Sequence, residues 1–231
     1  MTRSPESIGR LAAQVKVIKG DVSNYADLLK ALAGIDVAFY LIHSMEGSSK
    51  DWKKFVERDR NAAENFAKGA SECQVKRIIY LGGLYNEKNM ERLSDHMRSR
   101  NQVGEILKTS SARVTIFRAA VILGQGGRSF QMLQYLVERL PIMVCPLSQP
   151  IAIDDVVRYL VKAIEASDVE GRSFDIGGPD VLSYLDMMKR YGRMMNKSIK
   201  IIIIPFFDSK AFFLLDRSCY SFESLTCQAF N

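Results

Sequence analysis

Apolar positions along the chain alternate between the spacing of a strand and the spacing of a helix. Short continuous apolar runs, rich in β-branched and aromatic residues, are typical of strands that are buried on both faces. Such runs lie at 15–22, 36–44, 75–83, 113–124, 172–179 and 199–206. Between them the apolar residues recur every third or fourth position, as on one face of a helix. This spacing predicts helices at 27–35, 52–70, 95–109, 130–140, 153–166 and 183–195.

The alternation of strands and helices predicts an α/β fold with a parallel sheet. We expect strands 36–42, 76–81 and 114–119 to be parallel neighbours. Strand 15–19 should pair directly with 36–42 if the linker 20–35 adjusts, because that pairing buries an apolar edge, and the alternatives are that it lies beside a gap or pairs with a partner chain. In helix 153–166 the inward-facing residues should be Val156, Val157, Leu160, Val161 and Ile164.

Small and polar residues follow several of the predicted strands. They are the pairs Gly20-Asp21, His43-Ser44 and Gly82-Gly83, together with Gly124. Ligands of open parallel sheets bind beyond the carboxyl ends of the strands, which makes these residues candidates for a binding site. The alternative is that the glycines merely end the strands.

The composition of the 231-residue chain is that of a globular protein, with 47% hydrophobic and 25% charged residues. Prolines interrupt the longest charge-free run, Leu140 to Ile153, so that run does not predict a transmembrane segment. The four cysteines are scattered without a CxxC pair, which favours reduced cytoplasmic thiols over a metal site. Basic residues alternate with acidic ones, as in KKFVERDR, which argues against a nucleic-acid surface.

Six stretches stand in a fixed order over residues 3–205. They are GDVSNYADLLKALAGIDVAFYLIHSM, VKRIIYLGGL, HMRSRNQVGEIL, FRAAVILG, QPIAIDDVVRYL and FDIGGPDVLSYLDMM. Their order resembles the atypical, extended-like short-chain dehydrogenase/reductase superfamily, near the NmrA-like and complex I accessory-subunit-like NAD(P)-binding proteins. The resemblance implies a Rossmann-like doubly wound parallel sheet with a small C-terminal substrate lobe, and NADP or NAD as the cofactor. It also implies a partial cofactor-binding core at 1–124, a substrate-side lobe at 125–206 and an atypical tail at 207–231.

The same resemblance implies individual cofactor contacts. Asp21 and Val22 would meet the adenine, and Arg3 would pair with a 2′-phosphate, which favours NADP. Three groups of residues at strand ends would line the cofactor, lie under the nicotinamide and close over it, in that order. They are Leu41, Ile42 and His43, then Leu81, Gly82 and Gly83, and then Arg118, Ala119 and Val121.

The chain departs from the superfamily in its phosphate-binding turn. Neither GxxGxxG nor GxGxxG occurs in it. Backbone N–H groups at that turn hold the pyrophosphate. We therefore expect an N-terminally truncated fragment with impaired cofactor binding.

A second departure concerns the usual Tyr-x-x-x-Lys pair. The matching positions hold His96 and Arg100, and Gly82 and Gly83 replace the usual serine or threonine. His96 is a candidate catalytic acid, whereas Arg100 stays protonated and would hold a ribose or a phosphate. Two alternatives remain: both residues only contact cofactor or substrate, or His96 caps the helix while Arg100 is ion-paired or solvated.

The predicted function is that of an NAD(P)-binding oxidoreductase- or epimerase-like protein acting on an unknown small molecule. The alternative is a non-catalytic NAD(P)-binding redox sensor or assembly protein, which the absent Tyr-x-x-x-Lys pair favours.

Overall fold

The computed structural model of the chain describes residues 1–42, 52–85, 91, 93–125, 127 and 147–196. These residues fall into two compact units. Of the described residues, the first unit contains 1–42, 52–85, 91, 93–117 and 163–174, and the second contains 118–125, 127, 147–162 and 175–196. The domain boundaries expected from the sequence stay a prediction.

The main sheet contains β1 (Val37–Tyr40), β2 (Arg77–Gly83), β3 (Arg113–Ala119) and β7 (Ser173–Ile176), in the spatial order β1-β2-β3-β7. β1 pairs in parallel with β2, from Val37 opposite Arg77 to Tyr40 opposite Tyr80. β2 is the most deeply buried part, because its neighbours flank it on both sides and its apolar residues are nearly inaccessible. The α/β class, and the adjacency of the strands near 36–42, 76–81 and 114–119, are confirmed.

In the described part of the first unit the α-helices are α1 (Tyr25–Leu32), α2 (Trp52–Glu72) and α3 (Asp95–Leu107), and 3-10 helices lie at Pro5–Ala13 and Ser167–Val169. α2 packs against both α1 and α3, and α3 packs on β2. Asn24 begins α1, since its side chain accepts hydrogen bonds from the Ala26 and Asp27 N–H groups. Ser94 begins α3 by accepting from the Met97 N–H.

The segment 15–20 does not pair with β1, so the expected direct pairing is wrong. The Ile18 carbonyl instead accepts from the Thr2 N–H at 2.9 Å, and the Gly20 N–H donates to the Thr2 carbonyl at 3.0 Å. Thr2 thus provides backbone partners that the sequence pattern around 15–19 does not reveal. Within the described residues β1 pairs with β2 alone, and Phe39 is 39% exposed on it.

The second unit contains β4 (Ile122–Leu123), β5 (Leu147–Ser148), β6 (Ile151–Ala152) and β8 (Leu182–Ser183), with α4 (Ile153–Lys162) and α5 (Tyr184–Met194). β4 pairs in parallel with β6, and β5 pairs antiparallel with β8. Ser183 and Asp186 begin α5 with a reciprocal capping box.

Fewer residues of helix 153–166 are buried than its apolar spacing predicts. Val156 and Leu160 are buried, but Val157, Val161 and Ile164 are 48%, 55% and 38% exposed. The apolar stripe is wider than the surface that its neighbours cover, so periodicity alone overestimates the buried set. The predicted helix 130–140, strand 199–206 and tail 207–231 lie outside the described residues.

No helix in the described ranges combines the length and the apolar character that crossing a membrane requires.

Arg77, at the start of β2, ties a later segment of the chain to the sheet. Its guanidinium donates to the Ile164 carbonyl at 2.6 Å and to the Ala166 carbonyl at 2.7 Å. Its Nε lies 3.2 Å from a carboxylate oxygen of Glu170, which also pairs with Arg113. Because Arg77 is buried, its charge depends on these partners.

Replacing Arg77 with methionine should destabilise the protein by about 3 kcal/mol, because the carbonyls and part of the Glu170 charge lose their partner. Urea unfolding followed by circular dichroism measures the loss. The control is Arg158→Met, which removes a partly exposed ion pair with Asp155 and should leave the midpoint nearly unchanged. Equal midpoints for both variants would contradict the role of Arg77.

Candidate functional site

Arg100, on α3, lies at the carboxyl end of β2. Its Nη2 donates to the Leu81 carbonyl at 2.7 Å, and its guanidinium carbon is 5.8 Å from the centre of the Tyr80 ring. Within the described residues no carboxylate pairs with Arg100. The chain therefore holds a fixed positive charge at the edge of the sheet where ligands bind in folds of this class.

Met97 fills the space in front of Gly83. A Cβ atom built on Gly83 would lie 2.4 Å from the Met97 Cε and 3.0 Å from its Sδ. Such a Cβ would also lie 3.9 Å from the Arg100 Cγ, which places both helix residues against Gly83. The glycine that the sequence suggested as room for a nicotinamide is thus in contact with a thioether side chain.

His96 lies in the first turn of α3, one helical turn before Arg100, and is partly exposed. The four-residue spacing of His96 and Arg100 therefore lies within one helix, as the sequence predicted. Its role in catalysis stays a prediction, because a position on α3 does not establish proton transfer.

Two tyrosines form the buried floor behind Arg100. The rings of Tyr40 and Tyr80 meet edge to face, with centroids 5.8 Å apart. Burial raises the pKa of Tyr80 to about 12 and raises the pKa of Tyr40 further. Neither hydroxyl ionises near neutral pH, so these tyrosines are packing and hydrogen-bonding groups.

Sequence reasoning missed Tyr80 and Met97. The available signals were the position of Tyr80 just before the glycine pair, and the position of Met97 between His96 and Arg100. Both residues are apolar members of a predicted strand or helix, and such residues are expected in the core rather than in a binding site.

Arg3, Asp21 and Val22 come together near the end of segment 15–20. A backbone hydrogen bond from Ser23, 2.8 Å long, lowers the pKa of the Asp21 carboxyl, and the nearby Arg3 charge lowers it further. The Val22 carbonyl accepts from the Asn65 side chain at 3.2 Å, which fixes this turn to α2. A charged carboxylate held at this place fits the adenine contact that the sequence suggested.

Leu41 and Ile42 follow β1 and are 53% and 36% exposed. They offer an apolar surface at the carboxyl end of the strand, the kind of surface that lines ligand sites. His43, the third residue of this group, lies outside the described residues.

Arg118, Ala119 and Val121 are described within the second unit. Arg118 donates from its Nε to Asp175, and its side chain is only 12% exposed. Ala119 is buried, and the Val121 carbonyl accepts from the Ile151 N–H at 2.9 Å. These contacts account for the three residues within their own unit, and a contact with a cofactor stays a prediction for each.

These residues suit the adenosine end of a dinucleotide better than its pyrophosphate. Asp21, Arg3 and the apolar residues after β1 suit the adenosine end of the molecule. A pyrophosphate needs free N–H groups at a helix N-terminus. A side chain caps each of α1, α3 and α5, and each cap accepts from one or two of the first N–H groups of its helix.

Comparison with known proteins relates the chain to NAD(P)-binding folds. A family model described as NAD(P)H-binding matches residues 1–167. The auxiliary protein GraX of Staphylococcus aureus is 29% identical over 102 residues, which are 43% of this chain and 33% of that protein. The chain thus aligns with only a third of this curated relative.

Solved structures show the same fold. UDP-glucuronic acid 4-epimerase from Bacillus cereus, in complex with NAD, superposes with a TM-score of 0.71 at 20% identity, covering 86% of this chain and 73% of that one. A short-chain dehydrogenase/reductase superfamily protein from Agrobacterium tumefaciens with bound NAD gives a TM-score of 0.66 at 12% identity, covering 88% and 84%. At these identities the likeness shows the fold alone.

The contact between Gly83 and Met97 gives a direct test of the site geometry. Gly83→Ala should cost about 1 kcal/mol of stability because the new methyl group displaces the thioether. In a Met97→Ala background the same substitution should cost almost nothing, since the space is then open. Thermal unfolding of the four proteins measures the difference, and an equal cost in both backgrounds would contradict this packing.

Proposed function

The chain belongs to the NAD(P)H-binding family, and we propose that it is an oxidoreductase- or epimerase-like protein whose reacting centre lies at the carboxyl end of β2. The observation that carries the proposal is the placement of Arg100, a fixed cation beside Leu81 and Gly83. The similarity to an epimerase structure that contains NAD supports the reaction class.

Each residue of the site has a distinct role in this proposal. The bound cofactor supplies hydride transfer. Arg100 holds a ribose or a phosphate, because a guanidinium stays charged and presents several N–H donors. His96 moves the proton that accompanies hydride transfer, because imidazole gains and loses a proton near neutral pH. Asp21 and Arg3 hold the adenosine end.

A second function is favoured by Met97. Its side chain occupies the space beside Gly83, where members of the resembled superfamily carry a serine or threonine. A site packed with a thioether there binds a dinucleotide without assisting proton transfer. The chain would then be a non-catalytic NAD(P)-binding sensor or assembly protein, and the name of GraX as an auxiliary protein agrees with such a role.

Cofactor binding is the first test. The chain should bind NADPH with a dissociation constant of about 1 mM, or ~4 kcal/mol, because it contains neither of the glycine-rich turns whose backbone N–H groups hold a pyrophosphate. Isothermal titration calorimetry with NADPH and NADH measures both constants. Arg3→Gln should weaken NADPH binding and leave NADH binding unchanged, since only NADPH carries the 2′-phosphate. A micromolar constant would contradict the weak pyrophosphate anchoring.

Replacing His96 separates the two functions. If His96 transfers a proton, His96→Asn should lower kcat by about 100-fold while the KM for the cofactor stays the same. NADPH oxidation with small carbonyl compounds and UDP-sugar epimerisation are the assays, run at saturating cofactor.

The matched control is Arg98→Gln, on the exposed side of the same helix turn. It should leave kcat unchanged. Full activity of His96→Asn would remove the histidine from the chemistry. A wild-type chain that binds cofactor but shows no turnover in either assay would support the non-catalytic function.

A further inference from the structure

Tyr80 makes two separate contacts with one residue. Its hydroxyl donates to the backbone carbonyl of Arg100 at 2.9 Å, and its ring lies beneath the guanidinium of the same residue. The guanidinium in turn donates to the carbonyl of Leu81, the residue that follows Tyr80. Tyr80 and Leu81 together therefore hold both the backbone and the side chain of Arg100.

The Tyr80 ring is itself held from several sides. Its side chain is 2% exposed, and the Tyr40 ring meets it edge to face. A Cβ on Gly82 would lie 3.2 Å from the Tyr80 Cε1, and a Cβ on Gly104 would lie 3.5 Å from the same atom. The ring is thus clamped between its own strand and α3, and it offers Arg100 a rigid surface.

We propose that Tyr80 is a positioning residue that fixes the Arg100 guanidinium at the carboxyl end of β2. The hydroxyl sets where α3 lies along β2, and the ring sets the plane on which the guanidinium rests. This matters because a mobile arginine side chain loses rotamer entropy when it is fixed, and a ligand would otherwise have to offset that loss on binding. The importance of this positioning for a ligand rests on the proposed function, whereas the positioning itself does not.

The Tyr80 hydroxyl can donate its hydrogen bond to the Arg100 carbonyl over the whole physiological pH range. Burial raises the pKa of Tyr80 to about 12, so the group remains a proton donor to the carbonyl. A carbonyl oxygen has two lone pairs, so the Arg100 carbonyl can accept from Tyr80 and still serve within the helix.

The positioning is tested on the whole chain without any ligand. Nitrogen-15 NMR of the arginine side chains measures how fast the Arg100 guanidinium rotates, and Arg100→Lys assigns the signal. Tyr80→Phe removes the hydroxyl that holds the Arg100 backbone and keeps the ring, so it should speed this rotation about two- to threefold. Tyr40→Phe is the matched control, because Tyr40 is equally buried beside Tyr80 and has no hydrogen bond to Arg100. An unchanged Arg100 signal in Tyr80→Phe would overturn the proposal.

Tyr80→Leu provides a second variant, because it removes the ring as well as the hydroxyl. The Leu81 carbonyl is then the remaining partner of the guanidinium among the contacts described above, so the rotation should be at least tenfold faster. Slow rotation in a folded Tyr80→Leu chain would also overturn the proposal.

A double-mutant cycle on NADPH binding links the positioning to the site. Tyr80→Phe should raise the dissociation constant three- to tenfold when Arg100 is present, and leave it unchanged in an Arg100→Met chain. An equal effect in both backgrounds would mean that Tyr80 supports the fold in general, which overturns the proposal. If Arg100→Met itself leaves binding unchanged, the proposed role of Arg100 fails, and the NMR result alone decides the role of Tyr80.

Discussion

The close approach of α3 to β2 is the constraint on which the candidate site depends. Gly82 and Gly83 on the strand and Gly104 on the helix contribute no side chains of their own where the two elements meet. Ile116, Tyr80 and Met97 fill the room that these glycines leave. Because the helix lies so near the strand, a side chain as long as that of Arg100 can reach back to a strand carbonyl. A side chain at Gly83 would displace Met97 of α3, which lies one helical turn from the residue that makes that bond.

Much of this arrangement follows from local pattern. The apolar runs predicted the strands of the main sheet, and the spacing of His96 and Arg100 predicted one helix that carries both. The carboxyl ends of the strands were the expected place for polar and small residues, and Arg100 is found there. These features depend on alternation and helical periodicity, which a single sequence displays directly.

Other features depend on partners that are distant in sequence. The resemblance places Gly83 under the nicotinamide, but in the structure Met97 fills the space in front of Gly83, and neither motif predicts that contact. The apolar pattern of segment 15–20 predicts a strand, but its backbone pairs with Thr2 rather than with β1. The spacing of apolar residues on α4 predicts that all of them are buried, but Val157 and Val161 are exposed. In each case the residue type predicts burial or pairing, but the choice of partner is tertiary.

The two arginines of β2 and α3 differ in how their charge is balanced, and this difference bears on function. Arg77, at the amino end of β2, meets two carbonyls and the carboxylate of Glu170, so its charge is balanced inside the protein. Arg100, at the carboxyl end, meets one carbonyl and an aromatic ring, and among the described residues no ion pair with a carboxylate adds to these contacts. A buried cation is costly unless an anion accompanies it, and for Arg77 the fold itself supplies that anion. The contacts of Arg77 therefore explain it as a structural residue, whereas the contact of Arg100 with a ligand stays a proposal.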